Sequence, residues 1–249
     1  MEVHTHTHTE RKKFTHYLWE FLMLFLAIFC GFLAENQREH IVEHQREKKF
    51  VESLLEDLKK DTADLQNDIP FWNHYLNRVD TLQAELKKPA AQRNQLLLYR
   101  CIANMRRYNN FEYHDRTIDQ LKNAGNFRLI RNKKIADSLI DYDANIRSEL
   151  RDQEVQSNSI WQSLNFLQDR FVNSDLFVFK NNLTQLDSAA KADPSVLEIR
   201  KSQEDDMFEY YNRLDFFRVI NAYRNGTNKV LLRRATGLIQ MIQKEYYLQ

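Results

Sequence analysis

The stretch YLWEFLMLFLAIFCGFLAENQ at residues 17–37 constrains this chain most. Phe21–Ala34 is apolar without interruption, and Tyr17–Trp19 extend the run past a single carboxylate, Glu20. Eighteen helical residues rise about 27 Å, close to the roughly 30 Å of a bilayer's hydrocarbon core. Arg11, Lys12 and Lys13 precede the run, as they would in a cleaved leader. The exit argues for an uncleaved anchor, since Phe32 and Phe29 stand where a processing site after Ala34, or a lipid attachment at Cys30, would need small residues.

At about 100° per residue, Glu20, Ala27, Gly31 and Ala34 fall on one side of this helix. Phe21, Phe25, Phe29 and Phe32 fall on the other. Small residues let helix backbones approach closely, and an intramembrane carboxylate prefers protein or water to lipid. One expectation follows, that the span packs on itself or on another membrane protein through Glu20, Ala27, Gly31 and Ala34. A second reading remains open, in which Glu20 only reaches the headgroups beside Tyr17 and Trp19. Lys and Arg are similar in number on both flanks, Arg38, Arg46, Lys48 and Lys49 following the span, so charge does not fix orientation.

The whole chain carries 36 Lys+Arg against 35 Asp+Glu, which gives no reason to expect a nucleic-acid partner. Its two cysteines, Cys30 and Cys101, form no disulfide framework. With four glycines and three prolines, long helices are expected rather than strands and turns. The organisation predicted is a polar tail over 1–16 with HTHTHT at 4–9, a transmembrane helix over 17–34, a charged helical stalk over 35–49 with coiled-coil character, and an all-α antiparallel bundle over 50–249.

Within the bundle, Val51, Leu54, Leu55, Leu58 and Leu65 recur at helical spacing. Pro70 is expected to end or kink that helix, with a second helix over 71–87 and a third over 92–108. A short helix over 117–124 should stop at Gly125, and Asn126 should start the next. Ile135, Leu139, Tyr142, Ile146 and Leu150 mark one face of that long helix. Residues 180–194 read as a loop, Pro194-Ser195 as the opening of a helix to about Tyr223, Asn225-Gly226-Thr227 as a turn, and 228–247 as the last helix.

Three motifs invite chemistry. HIVEH at 40–44 matches an inverted zinc-peptidase pattern, with His40 and His44 as weak candidate ligands and Glu43 as base. It sits on an exposed stalk, where a solvated face is the plainer reading. Asp57, Asp61, Asp64 and Asp68 recur every three or four residues and form an acidic strip, a candidate face for a basic partner or a cation as well as the polar edge of an amphipathic helix. The aromatic residues, Trp72 and Trp161 among them, fit a packed core better than a ligand cavity.

The span with its early Glu, the segment FVESLLEDLKKD at 50–61, TIDQLKNAGNFRLIRNKKIADSLIDY at 117–142 and LIQMIQKEY at 238–246 together resemble an uncharacterised family of bacterial single-span membrane proteins with a helical extramembrane domain. The resemblance implies that architecture and no assigned activity. No cofactor and no catalysis are expected. The chain reads as a membrane-anchored interaction, scaffold or sensor-like protein of the bacterial inner membrane, its C-terminal domain in the periplasm. The alternatives are an accessory or pore-forming subunit of a transport or motor complex with Glu20 in an ion path and, remotely, a zinc hydrolase.

Overall fold

The structure, a computed structural model, describes residues 14–105, 109, 111–173, 176, 183–199 and 204–248. The HTHTHT tail and the basic trio lie outside them. Among the described residues there are six α-helices and no strand: α1 Phe14–Leu86, α2 Gln95–Met105, α3 Arg116–Asn123, α4 Lys133–Phe171, α5 Leu183–Ala192 and α6 Glu204–Tyr246. The fold is all-α, as the scarcity of breakers predicts. By contact the chain divides into two compact units, Met1–Phe50 and Val51–Gln249.

In the first unit α1 opens at Phe14 and runs on helically from there. It contains an 18-residue window of mean hydropathy 2.0, none of it buried, and is long and apolar enough to cross a membrane.

In the second unit, α1 from Val51 onward, α4 and α6 form the frame. Hydrogen bonds and ion pairs join Asp68 to Asn228, Asn73 to Asn225, Asp80 to Arg218 and Gln83 to Asp215. Numbers rise on one helix as they fall on the other, so the two run antiparallel. α4 and α6 are likewise antiparallel, through Arg170–Asp206 and Tyr223–Glu149. The core between them holds Trp72, Tyr75, Val79, Leu82, Ile160, Leu164, Leu167, Tyr210, Leu214 and Phe217, closed at one end by α2 through Leu98, Tyr99 and Ile102. Trp72 is core, its ring centre 5.1 Å from that of Tyr75, which lies 5.9 Å from Phe217, both pairs tilted.

Four expectations need correction. Pro70 neither ends nor breaks α1, which continues to Leu86 and absorbs the helix expected over 71–87. Proline removes one N–H and crowds the carbonyl four residues back. Here Pro70 and Gln66 are both exposed, which leaves that carbonyl's side of the helix open to solvent, while buried Leu65 and Trp72 hold the helix on either side. Asn225-Gly226-Thr227 is no turn, because α6 passes through it. Asn225 and Asn228 are buried and bonded to Asn73 and Asp68 of α1, and these contacts outweigh weak local helix propensity. Residues 183–192 form α5 rather than a loop, fastened by buried Leu186 and by Asp187 to Arg100 of α2 at 2.7 Å. Pro194 opens a single 3-10 turn, Pro194–Leu197, capped by Asp193, and the long helix starts only at Glu204.

The joint after α3 follows the sequence more closely. Gly125 has φ +62°, the left-handed conformation expected of a glycine closing a helix. Asn126 opens a short 3-10 turn, and the cap of α4 is Asn132, whose side chain accepts from the Ile135 N–H. Nothing lies within 4 Å of a Cβ added to Gly125, so a substitution there acts through the backbone alone. Gly125→Ala is expected to lower unfolding free energy by about 1 kcal/mol, read as a shift of the urea midpoint. An unchanged midpoint would mean that the left-handed conformation is not required.

Candidate functional site

The acidic strip of α1 turns inward. Asp57, Asp61 and Asp68 are buried, and only Asp64 is partly open to solvent. Three of the four therefore face other parts of the chain rather than an outside partner. Their neighbours come from segments that carry little periodicity of their own.

Asp57 Oδ2 accepts from the backbone N–H of Thr117 at 3.1 Å and from its hydroxyl at 2.5 Å, with the Arg116 guanidinium 3.8 Å from the other oxygen. Asp61 Oδ1 accepts from the His114 backbone N–H at 2.9 Å and faces His114 Nδ1 at 3.1 Å, while Oδ2 accepts from the Tyr142 hydroxyl at 3.0 Å. Asp68 accepts from Trp72 Nε1, Asn109 Nδ2 and Asn228 Nδ2 at 3.0, 2.8 and 2.6 Å. The Arg224 guanidinium lies 4.6 Å from the centre of the Trp72 ring and draws on the Asp68 charge. Each carboxylate thus binds a different element: the start of α3, the 111–115 segment with α4, and α6 with residue 109.

Electrostatics separates these carboxylates from a fourth, Asp143 on α4. Burial pushes Asp68 up from its ordinary value, against the pull of Arg224 and its three hydrogen bonds. Burial pushes Asp61 up to about 6. Asp143 is also buried, but bonds from Lys122, Arg147 and Tyr113 outweigh that and hold it below the usual carboxylate range. The hydroxyls of Tyr113 and Tyr142 are driven upward, first by burial and then by the neighbouring carboxylates. The two rings meet edge to face at 6.2 Å, so the Asp61 and Asp143 clusters adjoin. Sequence reading missed Asn109, His114, Thr117 and Asp143. The available signal was the dense run of polar hydrogen-bonding residues at 109–119, which has no apolar period.

The other candidate residues sit in the first unit. Glu20 Oε1 lies 3.0 Å from His16 Nε2, one turn earlier, both about half exposed. Ala27, Gly31 and Ala34 are exposed, as is every residue from 14 to 40. In HIVEH, His40 and His44 are exposed, and His44 Nδ1 lies 3.2 Å from Glu47 Oε2. Among the described residues no three His, Cys, Asp or Glu side chains are placed to hold a metal ion.

α6 carries a second apolar side. Phe208, Phe216, Val219, Tyr223 and Val230 are exposed, at spacings of three, four, seven and eight residues, opposite the face that meets the core.

No protein-family model, curated protein or solved structure matches this chain.

The buried hydroxyl of Thr117 donates to a carboxylate shielded from water. Thr117→Val keeps the shape and the backbone bond while removing that donor, and is expected to cost about 1–3 kcal/mol of unfolding free energy in a urea titration. A loss near zero would show that the Asp57 tie is not structural.

Proposed function

We propose that this chain is a membrane-anchored, non-enzymatic interaction protein that assembles through the apolar helix at 17–34, with its helical bundle in the periplasm of a bacterial inner membrane. The observation that carries this reading is the exposure of that helix: Phe21 is 65% exposed, Ile28 74% and Phe32 68%. An apolar surface of this size is stable against lipid or protein and not against water. The stripe along α6 supports the interaction role, because such lines on an otherwise folded domain are where partners sit. The bundle's buried acids support the absence of catalysis, since their oxygens are engaged by donors within the chain.

Burial of the small-residue side in assembly brings Ala27, Gly31 and Ala34 against a neighbouring backbone and shields Glu20. The phenylalanine side then meets lipid. Phe21, Phe25 and Phe29 already form a continuous stack along it, with ring centres 6.4 and 6.0 Å apart.

One observation favours a second reading, a subunit of a transport or motor complex. Glu20 and His16 make a proton-exchangeable pair inside the apolar end of α1, which an ion path could use.

In a Cys30→Ser background, cysteine at Ala27 or Gly31 is expected to give disulfide-linked species on mild oxidation of native membranes, and cysteine at Phe25 or Phe32 is not. Equal yields from both sides, or none from either, would contradict assembly through this face. Glu20→Gln separates the two readings: lost crosslinking supports the packed face, and intact crosslinking with lost ion flux supports the path.

A further inference from the structure

Residues 111–115 have no regular structure before α3 opens at Arg116. The short segment 111–117 is nevertheless fastened by successive side chains. Tyr113 donates to Asp143 at 2.9 Å, His114 meets Asp61, Asp115 receives Arg147 at 3.0 Å, and Thr117 donates to Asp57. His114 is the covering group. Its side chain keeps 27% of its surface in solvent while Asp61 behind it keeps 1%.

We propose that residues 111–117 are a proton-fastened strap: with a proton on Asp61 the segment lies closed over α1 and α4, and loss of that proton admits water beneath it.

The charged and titratable groups around Asp61 are few. From α1 come Asp57, with Arg116 beyond it, and Asp64, whose Oδ2 is 3.8 Å from His114 on the solvent side. From the strap come His114 and Tyr113, and from α4 come Tyr142 and, behind Tyr113, Asp143 with Lys122 and Arg147. α6 directs its Arg224 at Asp68, two turns along α1. Among the described residues no Lys or Arg side chain is paired with Asp61. Among the described residues the ionised carboxylate is held chiefly by hydrogen bonds, in a place where water is excluded.

Burial is the largest influence on Asp61 and raises it from 3.8 to about 6, against the bonds from His114 and Tyr142. A carboxyl facing water binds its proton less tightly, so closing the strap takes up a proton. The closed form is fully favoured below the ordinary aspartate range, and the advantage is lost as pH rises through about 6. Protonation is sterically easy. Oδ1 keeps both contacts from His114, and the Tyr142 hydroxyl can turn to accept from a proton on Oδ2.

The test is hydrogen exchange of the full chain in detergent micelles, followed by mass spectrometry and corrected for the intrinsic pH dependence of amide exchange. Peptides covering 111–117 are compared with those from the middle of α4. Strap protection is expected to be about tenfold greater at about pH 5 than at about pH 7.5, with α4 nearly unchanged. Asp61→Asn, which keeps the acceptor for His114 and offers an N–H to Tyr142, should be protected at both pH values as wild type is in acid. His114→Gln should keep the wild-type response, because the backbone N–H and Asp61 remain. Flat or opposite behaviour in wild type, a tenfold response surviving Asp61→Asn, or its disappearance in His114→Gln would overturn the proposal. Should Asp61→Asn lose protection throughout α4, wild type and His114→Gln decide the matter alone.

Discussion

The bundle depends on one constraint, the burial of three carboxylates along one side of α1. A buried carboxylate without donors is too costly to keep. Asp57, Asp61 and Asp68 each obtain donors from separate stretches of chain, at their longest reaches 60, 81 and 160 residues away in sequence. Apolar packing brings helices together over a broad range of offsets. The carboxylates narrow that range, since a shift of α6 by one turn would take Asn228 away from Asp68. A shift of α4 would take Tyr142 away from Asp61. Most of the hydrogen-bond donors are neutral, and the buried Arg224 adds a full positive charge on the Asp68 side.

The sequence showed the helices where an apolar period had enough length to be seen. Val51 to Leu65 on α1, Ile135 to Ile146 on α4 and Leu231 to Ile242 on α6 are all buried on the sides their spacing indicates. Gly125 was legible because a left-handed residue leaves a chemical signature. Pro70 and Asn225-Gly226-Thr227 misled for one reason: both are local signals of a helix end, in helices whose continuity is set by contacts on either side. The α5 segment misled in the opposite direction. Leu186, its buried leucine among the described side chains, gives by itself no period to detect.

The acidic strip marks the limit of reading from spacing. Four aspartates three and four residues apart share a side of a helix whether that side meets water or protein. What decides is where the donors are, and Asn109, His114, Thr117, Tyr142 and Asn228 are scattered over the chain. The same limit applies to Glu20. Spacing groups it with Ala27, Gly31 and Ala34, while the structure also pairs it with His16, a turn closer to the N-terminus. The resemblance of residues 117–142 to a family of single-span proteins rests on turn and helix pattern, which matches the local structure and adds no chemistry to it.

The central claim, that the α1 carboxylates are interior fasteners, is tested most directly by carboxyl labelling of the native protein with a water-soluble carbodiimide and an amine. At about pH 5, where the strap is closed, peptide mapping should show Asp64 and the exposed Asp80 modified, with Asp57, Asp61, Asp68 and Asp143 labelled only after urea unfolding. Labelling of Asp57, Asp61 and Asp68 in the native protein at the rate of Asp64 would contradict the account and return the strip to the surface.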